Sequence, residues 1–528
     1  LHTIEITYGK ERIETDVIIV DYFEEEPVDY GERFPDNDPY FDIVKPAFDS
    51  EDFAGKWKQT VLLYSSGRLL EKRVMLVGLG EQKDVYPFKI KVSLAHALKK
   101  MNSYHEIKTV SAFIDKEYSA EKVKEIATFL VEAAYMSQYH AKTYKKDEKQ
   151  FTPIEHLHLI IPDNIDEKDI EDAINQGTII GQGINEVRDL INKPSNDVTP
   201  SYLANYALDL AAKNDNIQSK IFHQDQLRQM GMNGILSVGQ GSEEEPKLVM
   251  MTYTPEVEPE YSIALVGKGI TFDAGGISLK PSSNMYLMKI DMAGAALVLI
   301  LMKVISRLKL PVKVFGLVPT CENMPGGNSI KPGDIITAYD GSSVEIIDTD
   351  AEGRLILMDA LGYAVTQKPN VIIDIATLTG ACTVALGRYV IGGMSNHDPV
   401  MDIMRASGDY MYERVWELPL MEEYKLMLKS YFADIKNFGG KEAGAITAGA
   451  FLSHFVGDTP WIHLDIAGVS WFNSETSLMP HGATGIGIRL ITDFMRRLLK
   501  EDRNIWEKKT ADIRQTLYKE DEVPKYDS

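Results

Sequence analysis

Four runs that are apolar at nearly every position constrain the fold of this chain more than any other feature. "SIALVG" (262–267), "VKVFGLV" (312–318), "VIIDIA" (371–376) and "WIHLDIA" (461–467) lack the alternation of a strand with one wet face. Strands of this kind belong to sheets covered by helices on both sides. Helical stretches separate the runs, which predicts an α/β arrangement with helices crossing between strands. The earlier part of the chain repeats the alternation on a smaller scale. There "TDVIIVDYF" (15–23) and "KRVMLVGLG" (72–80) stand against "KVSLAHALKKMN" (91–102) and "KVKEIATFLVEAAYMS" (122–137).

A chain of 528 residues exceeds what one core usually supports. The pattern "DIEDAINQGTIIGQGINEVRDLIN" (169–192) predicts one long helix stopped by Lys193-Pro194, a natural connection between two domains. The expected organisation is an N-terminal α/β domain over 1–168, a linker helix over 169–195 and a larger domain over 196–528. The acidic, Pro-rich stretch "EEEPVDYGERFPDNDPYFD" (24–42) predicts a surface loop, and the residues from Asp502 onward a surface helix or loose tail. Val77-Gly78-Leu79-Gly80 is incomplete as a nucleotide fingerprint and reads as a turn. "FGGKEAGAITAGAFL" (438–452) lacks the order of a phosphate loop and reads as a small-residue helix beside the site.

Charge and cysteine content narrow the function. A net charge of −22 repels phosphate backbones and anionic lipid, so neither nucleic acid nor a membrane surface is an expected partner. Cys321 and Cys382 are the only cysteines, too few for a disulfide framework or a Cys-type zinc site, which fits a cytoplasmic protein. The longest apolar run, Ala293 to Met302, is about half a membrane-spanning helix. No signal-peptide pattern opens the chain, whose first residue is Leu.

The chemistry sits where charged residues follow the apolar strands. "SIALVG" runs into "KGITFDAGGISLK", which delivers Lys268, Asp273 and Lys280. Asp291 precedes an apolar helix rich in small residues, and "IIDTDAEGRLILMDAL" (346–361) adds Asp348, Asp350, Glu352, Arg354 and Asp359. Ligands of open α/β sheets bind outside the carboxyl ends of the strands. Carboxylates gathered there repel one another, and buried charge is costly unless paired or bound to metal. Taken singly, each Asp reads as a helix cap or turn residue. As a set among glycines they point to divalent cations on oxygen ligands.

"DTDAEGRL" at 348–355 resembles "NTDAEGRL", the signature of the leucine aminopeptidase family of cytosolic two-metal exopeptidases. "GKGITFDAGGISLK" (267–280), "DMAGAA" (291–296) and "TLTGA" (377–381) are similar to further blocks of that family, in its order, and "RDLINKPSNDVTP" (188–200) to the segment that opens its catalytic domain. The resemblance covers 188 to 490, and the N-terminal third is similar only in layout. It implies a small N-terminal α/β domain joined by a long helix to a larger α/β catalytic domain with a mixed, largely parallel sheet.

The resemblance also assigns roles. Asp273 and Glu352 would bridge two divalent cations per subunit (Zn, Mn, Co or Mg), Asp350 would complete the more exchangeable site, and Lys268 with Asp291 the tighter one. Lysine ligates only as the neutral amine, so its pKa would have to fall far below ~10.4. Lys280 would polarise the scissile carbonyl as a cation, and Arg354 would hold bicarbonate as the proton shuttle in a chain with no HExxH pair. Arg354 in a first helical turn is apt for an anion, with a salt bridge to a nearby carboxylate as the alternative. Asp348 stands where the family has Asn.

Met285, Met288, Thr377, Leu378, Gly380 and Ala483 would line the pocket for the first side chain, favouring Leu and Met, although a Met pair at helical spacing is as often core. The implied activity is release of N-terminal apolar residues from short peptides by a homohexamer. Hydrolysis of Cys-Gly dipeptides is the alternative of similar chemistry. DNA binding through the N-terminal domain, known in the family, is the alternative of another class, and the acidic balance opposes it.

Overall fold

The computed structural model describes residues 3–24, 38–84, 86–104, 106–114, 118–146, 152–501 and 505–506. It divides into two compact units, Leu1–Asn185 with Asn473–His481, and Glu186–Phe472 with Gly482–Ser528. The division falls within one helix, Glu167–Asn192. Most of the acidic stretch (residues 25–37) and most of the charged tail lie outside the described residues. The end of the acidic stretch departs from the loop reading, because helix Tyr40–Asp49 takes up its last three residues.

The first unit is built on a six-stranded sheet. In spatial order its strands are Glu5–Gly9, His156–Ile160, Thr109–Phe113, Val17–Phe23, Arg73–Gly80 and Thr60–Tyr64, and only the last is antiparallel to its neighbour. Alternate residues of Val17–Phe23 feed two cores. Val17 and Ile19 join Leu94, Leu130 and Leu157, whereas Ile18, Val20 and Tyr22 join Tyr40 and Val44. Both faces are covered, as the unbroken apolar run requires. Val77 to Gly80 are strand residues rather than a turn. Gly78 is needed for close approach, since a Cβ there would lie 2.0 Å from the carbonyl oxygen of Lys56.

The second unit carries a nine-stranded mixed sheet. Four strands at its centre run parallel: Trp461–Asp465, Val371–Ala376, Tyr261–Gly267 and Val312–Asn323. Antiparallel neighbours flank them, Ile391–Ser395 on one side and Lys247–Tyr253 on the other. Ala264 and Val266 share a core with Leu355, Ile356 and Met358 of helix Glu352–Thr366. On the opposite face Gly316, paired with Leu265, meets Val298 and Met302 of helix Ala293–Arg307. The one charge inside "VIIDIA" is tied down: Asp374 accepts hydrogen bonds from Trp461 Nε1 (2.6 Å) and His463 Nδ1 (2.5 Å). The small-residue segment is helical only over Gly444–Ser453, because Gly440 and Ala443 take positive φ before it. Among the described residues no helix is long and apolar enough to cross a membrane.

Candidate active site

Close backbone approach at the carboxyl edge of the central strands brings the charged segments together. A Cβ on Gly267 would lie 2.4 Å from Gly294 O, and one on Gly294 would lie 2.0 Å from Ile375 O. Glycine at both positions lets the start of helix Ala293–Arg307 settle against two strands. Asp291 is therefore held beside Lys268, the first residue after Tyr261–Gly267.

Two ion-paired halves result. Lys268 Nζ lies 2.7 Å from Asp291 Oδ2 and 2.9 Å from Glu352 Oε1, and donates to Thr377 O at 3.1 Å. Lys280 Nζ lies 2.7 Å from Asp273 Oδ2 and 2.5 Å from Asp350 Oδ1. Burial favours the neutral amine of Lys268, but Asp291, Glu352 and Asp273 outweigh it and raise its pKa. Burial acts the same way on Lys280, and Asp273, Glu352 and Asp350 raise its pKa in turn. Both are thus ammonium groups here. Counted as fully ionised, four carboxylates against two ammonium groups would leave two negative charges in excess, and burial with mutual repulsion answers this by raising the carboxyl pKa values of Asp291 and Asp273. Burial and the charge of Asp273 push the Asp350 carboxyl up to about 7.

One oxygen each of Asp273, Asp350 and Glu352 lies within 4.8 Å of the others. That spacing and the uncompensated charge fit a divalent cation on hard oxygen ligands. With metal bound, Lys268 would have to surrender its proton to serve as a ligand. In this structure it instead bridges two of the carboxylates.

Short polar ties set the geometry. Asp273 Oδ1 accepts from Gly275 N and from Asn323 Nδ2, both at 2.9 Å. Thr349 Oγ1 donates to Gly275 O (2.7 Å) and accepts from Ser278 N (2.8 Å), clamping the turn that leads to Lys280 against the segment carrying Asp350. Asn437 Oδ1 accepts from Ile347 N (2.8 Å) and Asp348 N (3.2 Å), and its Nδ2 donates to Asp348 O (2.6 Å). Asp348 Oδ1 accepts from Asp350 N at 2.9 Å, a bond an Asn side-chain oxygen makes equally well. Asp359 belongs to a different structure: it accepts from Ile235 N and Tyr339 N, both at 3.0 Å. Asn323 and Asn437 escape the sequence reading, since neither lies in a charged motif.

Arg354 lies in the first turn of helix Glu352–Thr366 and is 6% exposed. Its Nη1 donates to Asn437 O at 2.8 Å, while its Nε is buried without a hydrogen-bond partner among the described residues. Burial pushes its pKa down to about 10, which leaves it a cation at neutral pH. Among the described residues Arg354 forms no salt bridge to a carboxylate, and its Nε–H is left free to donate.

The expected pocket residues are distributed unevenly. Thr377 Oγ1 donates to Asp291 Oδ1 at 2.8 Å, so this residue touches the cluster directly. Gly380 opens helix Gly380–Leu386 with open space where a Cβ would be. Leu378 packs its side chain against the core, while its N–H is held by Asp465 Oδ1 at 3.2 Å. Met285 and Met288 are half-buried on the 3₁₀ turn Met285–Ile290. Ala483 is buried on the two-residue strand Gly482–Ala483.

Comparisons with known proteins agree with this geometry. The pattern described as "Cytosol aminopeptidase family, catalytic domain" matches residues 185–492, and that of the family's N-terminal domain matches 25–148. A probable cytosol aminopeptidase of Geobacter sp. (strain M21) is 41% identical over 451 residues, 85% of this chain and 90% of the relative. One from Roseiflexus castenholzii is 40% identical over 487 residues, 91% of this chain and 96% of the relative. Among solved structures, the bottromycin maturation enzyme BotP in complex with Mn superposes with a TM-score of 0.80 at 28% identity, covering 92% of this chain and 99% of that one.

Proposed function

The chain belongs to the cytosol aminopeptidase family and is a metal-dependent aminopeptidase, and from that premise we propose a substrate class, a set of site roles and a mechanism. The substrates are short peptides, and the residues released are N-terminal Leu, Met and similar apolar residues. Asp273, Asp350 and Glu352, with Lys268 and Asp291, hold two divalent cations, of Zn, Mn, Co or Mg type. Bound there, such cations supply a water of lowered pKa and positive charge for a developing oxyanion.

The chain's own residues do the remainder. Lys280, kept protonated by its carboxylate neighbours, presents a fixed cation to the scissile carbonyl. One preorganised group of this kind contributes ~2.7–4 kcal/mol to the transition state. Among the described residues no histidine belongs to the carboxylate cluster, so the reading needs another carrier for the proton. The unpartnered Nε–H of Arg354, at a helix N-terminus, supports bicarbonate in that role. Thr377, fixed by Asp291, stands at the mouth of the pocket for the first side chain, with Met285, Met288, Leu378, Gly380 and Ala483 as its other expected positions.

The observation that carries this reading is the uncompensated carboxylate cluster at the carboxyl edge of parallel strands. A homohexameric, cytoplasmic enzyme is part of the same proposal. Association is supported by the family and by large apolar side chains left exposed on the second unit, Tyr389, Tyr431 and Phe432 among them. The test is metal analysis beside a panel of aminoacyl-coumarin substrates. The reading expects two cations per chain and fastest turnover on Leu and Met. A metal-free protein of full activity, or a preference for charged first residues, contradicts it.

A further inference from the structure

We propose that Lys289 is a positioning residue for specificity, tying together the two walls of the pocket for the first side chain. The inference rests on the pocket reading above. Lys289 lies on the same 3₁₀ turn as Met285 and Met288 and is half-buried. Its Nζ donates to the carbonyl oxygen of Asn192 at 2.7 Å. Asn192 ends helix Glu167–Asn192, so its carbonyl lies at the negative end of the helix dipole, where a cation is favoured. The side chain of Asn192 turns the other way, and its Oδ1 accepts from Ala483 N at 3.0 Å.

The second wall is held at close quarters. A Cβ on Gly482, whose φ is +114°, would lie 2.5 Å from Asn192 Oδ1, so the strand Gly482–Ala483 is pressed against Asn192. Lys289 reaches that wall by a second route. Its Nζ stands 5.4 Å from the ring centroid of Trp471, which pairs with Ala483 in the two-stranded ladder. One ammonium group therefore links the methionine turn, the end of the long helix and the strand of Ala483. A helix cap without further consequence would affect stability alone. A tie between pocket walls affects which first residue is accepted.

The experiment compares Lys289→Met, Lys289→Arg and Met288→Ala, each purified as the full chain with metal restored, on Leu- and Ala-coumarin substrates. Lys289→Met keeps the apolar stem and loses the ammonium. The ratio of kcat/KM for Leu over Ala is expected to fall ~10-fold, chiefly through KM on Leu. Lys289→Arg, which still donates, restores most of the ratio. If Met288→Ala changes the ratio and Lys289→Met leaves it at the wild-type value, the tie is wrong and the pocket stands. If neither variant changes the ratio, the pocket reading is wrong and the tie falls with it. Should Lys289→Met fail to fold, Lys289→Gln decides the matter. It removes the charge and shortens the reach toward Asn192 O and the Trp471 ring, and a fallen ratio supports the tie while an unchanged one overturns it.

Discussion

Gly353 is the residue of "DTDAEGRL" whose replacement the structure prices most directly. It lies in the first turn of helix Glu352–Thr366, and its φ is not in the left-handed region, so alanine meets no backbone strain there. The obstacle is contact. A Cβ would lie 2.5 Å from Lys268 Cε and 2.6 Å from Lys268 Nζ. Carbon atoms rest at about 3.5 Å or more, so the lysine must move by about 1 Å. Its bonds of 2.7 Å to Asp291 and 2.9 Å to Glu352 would then pass beyond hydrogen-bonding range. Crowding of a packed interior costs ~1–3 kcal/mol, and alanine's better helix propensity returns at most ~1 kcal/mol. Stability should therefore change by no more than about 3 kcal/mol, while a 1 Å misplacement at a reacting centre lowers turnover ~100-fold. The assay is kcat on Leu-coumarin beside bound metal and a thermal melt. Gly362→Ala serves as control, because the same helix gains the same propensity and a Cβ there meets only the ring edge of Tyr339 at 3.2 Å. A Gly353→Ala enzyme with wild-type turnover and wild-type metal content would refute the reasoning.

The other lysines, the site acid and its supporting asparagine give further tests. Lys268→Arg should lose one of the two cations, because guanidinium has no lone pair to donate. Lys280→Ala should keep both cations while kcat falls ~100-fold or more, and the opposite metal counts would exchange the two roles. With its carboxyl at about 7 in the metal-free site, Asp350 is protonated below that pH and ionised above it. Uptake of Mn²⁺ should accordingly release one more proton below about pH 7 than above it, read by calorimetry in buffers of differing ionisation enthalpy, and Asp350→Asn should abolish the difference. Asn437→Ala removes three part-buried hydrogen bonds to the backbone of Ile347 and Asp348, so denaturant unfolding should show a loss of ~1–2 kcal/mol, and an unchanged midpoint would argue against the clamp.

The parts of this molecule that repeat a period are the parts the sequence makes plain. Strands apolar at every position led to a sheet covered on both faces, and the helical pattern at 169–192 matches a helix over Glu167–Asn192. Strand Val312–Asn323 runs five residues past its apolar core because Pro319 hides the continuation. A proline there argues locally against a strand, yet the pairing continues on both sides of it. That hidden end carries Asn323, the support of Asp273. The charged residues of the site were legible because buried charge is rare and demands a partner. Asn323 and Asn437 were not, since Asn323 acts through a side-chain bond to Asp273 across 50 residues and Asn437 through bonds to or from the backbone across 83 to 90 residues, and neither follows a local pattern. The same holds for Lys289, whose partner lies 97 residues away at a helix end.

The central claim is that the excess negative charge among Asp273, Asp291, Asp350 and Glu352 is there to hold catalytic cations. The most direct measurement strips the protein of metal and titrates it with Mn²⁺, following bound metal and Leu-coumarin turnover in the same sample. The account predicts no turnover without metal, two cations per chain at saturation, and activity rising with their uptake. In Glu352→Ala, folded by the same melt, both signals should fail together. Turnover that survives metal removal, or a Glu352→Ala protein that binds two cations and works at the wild-type rate, would contradict it.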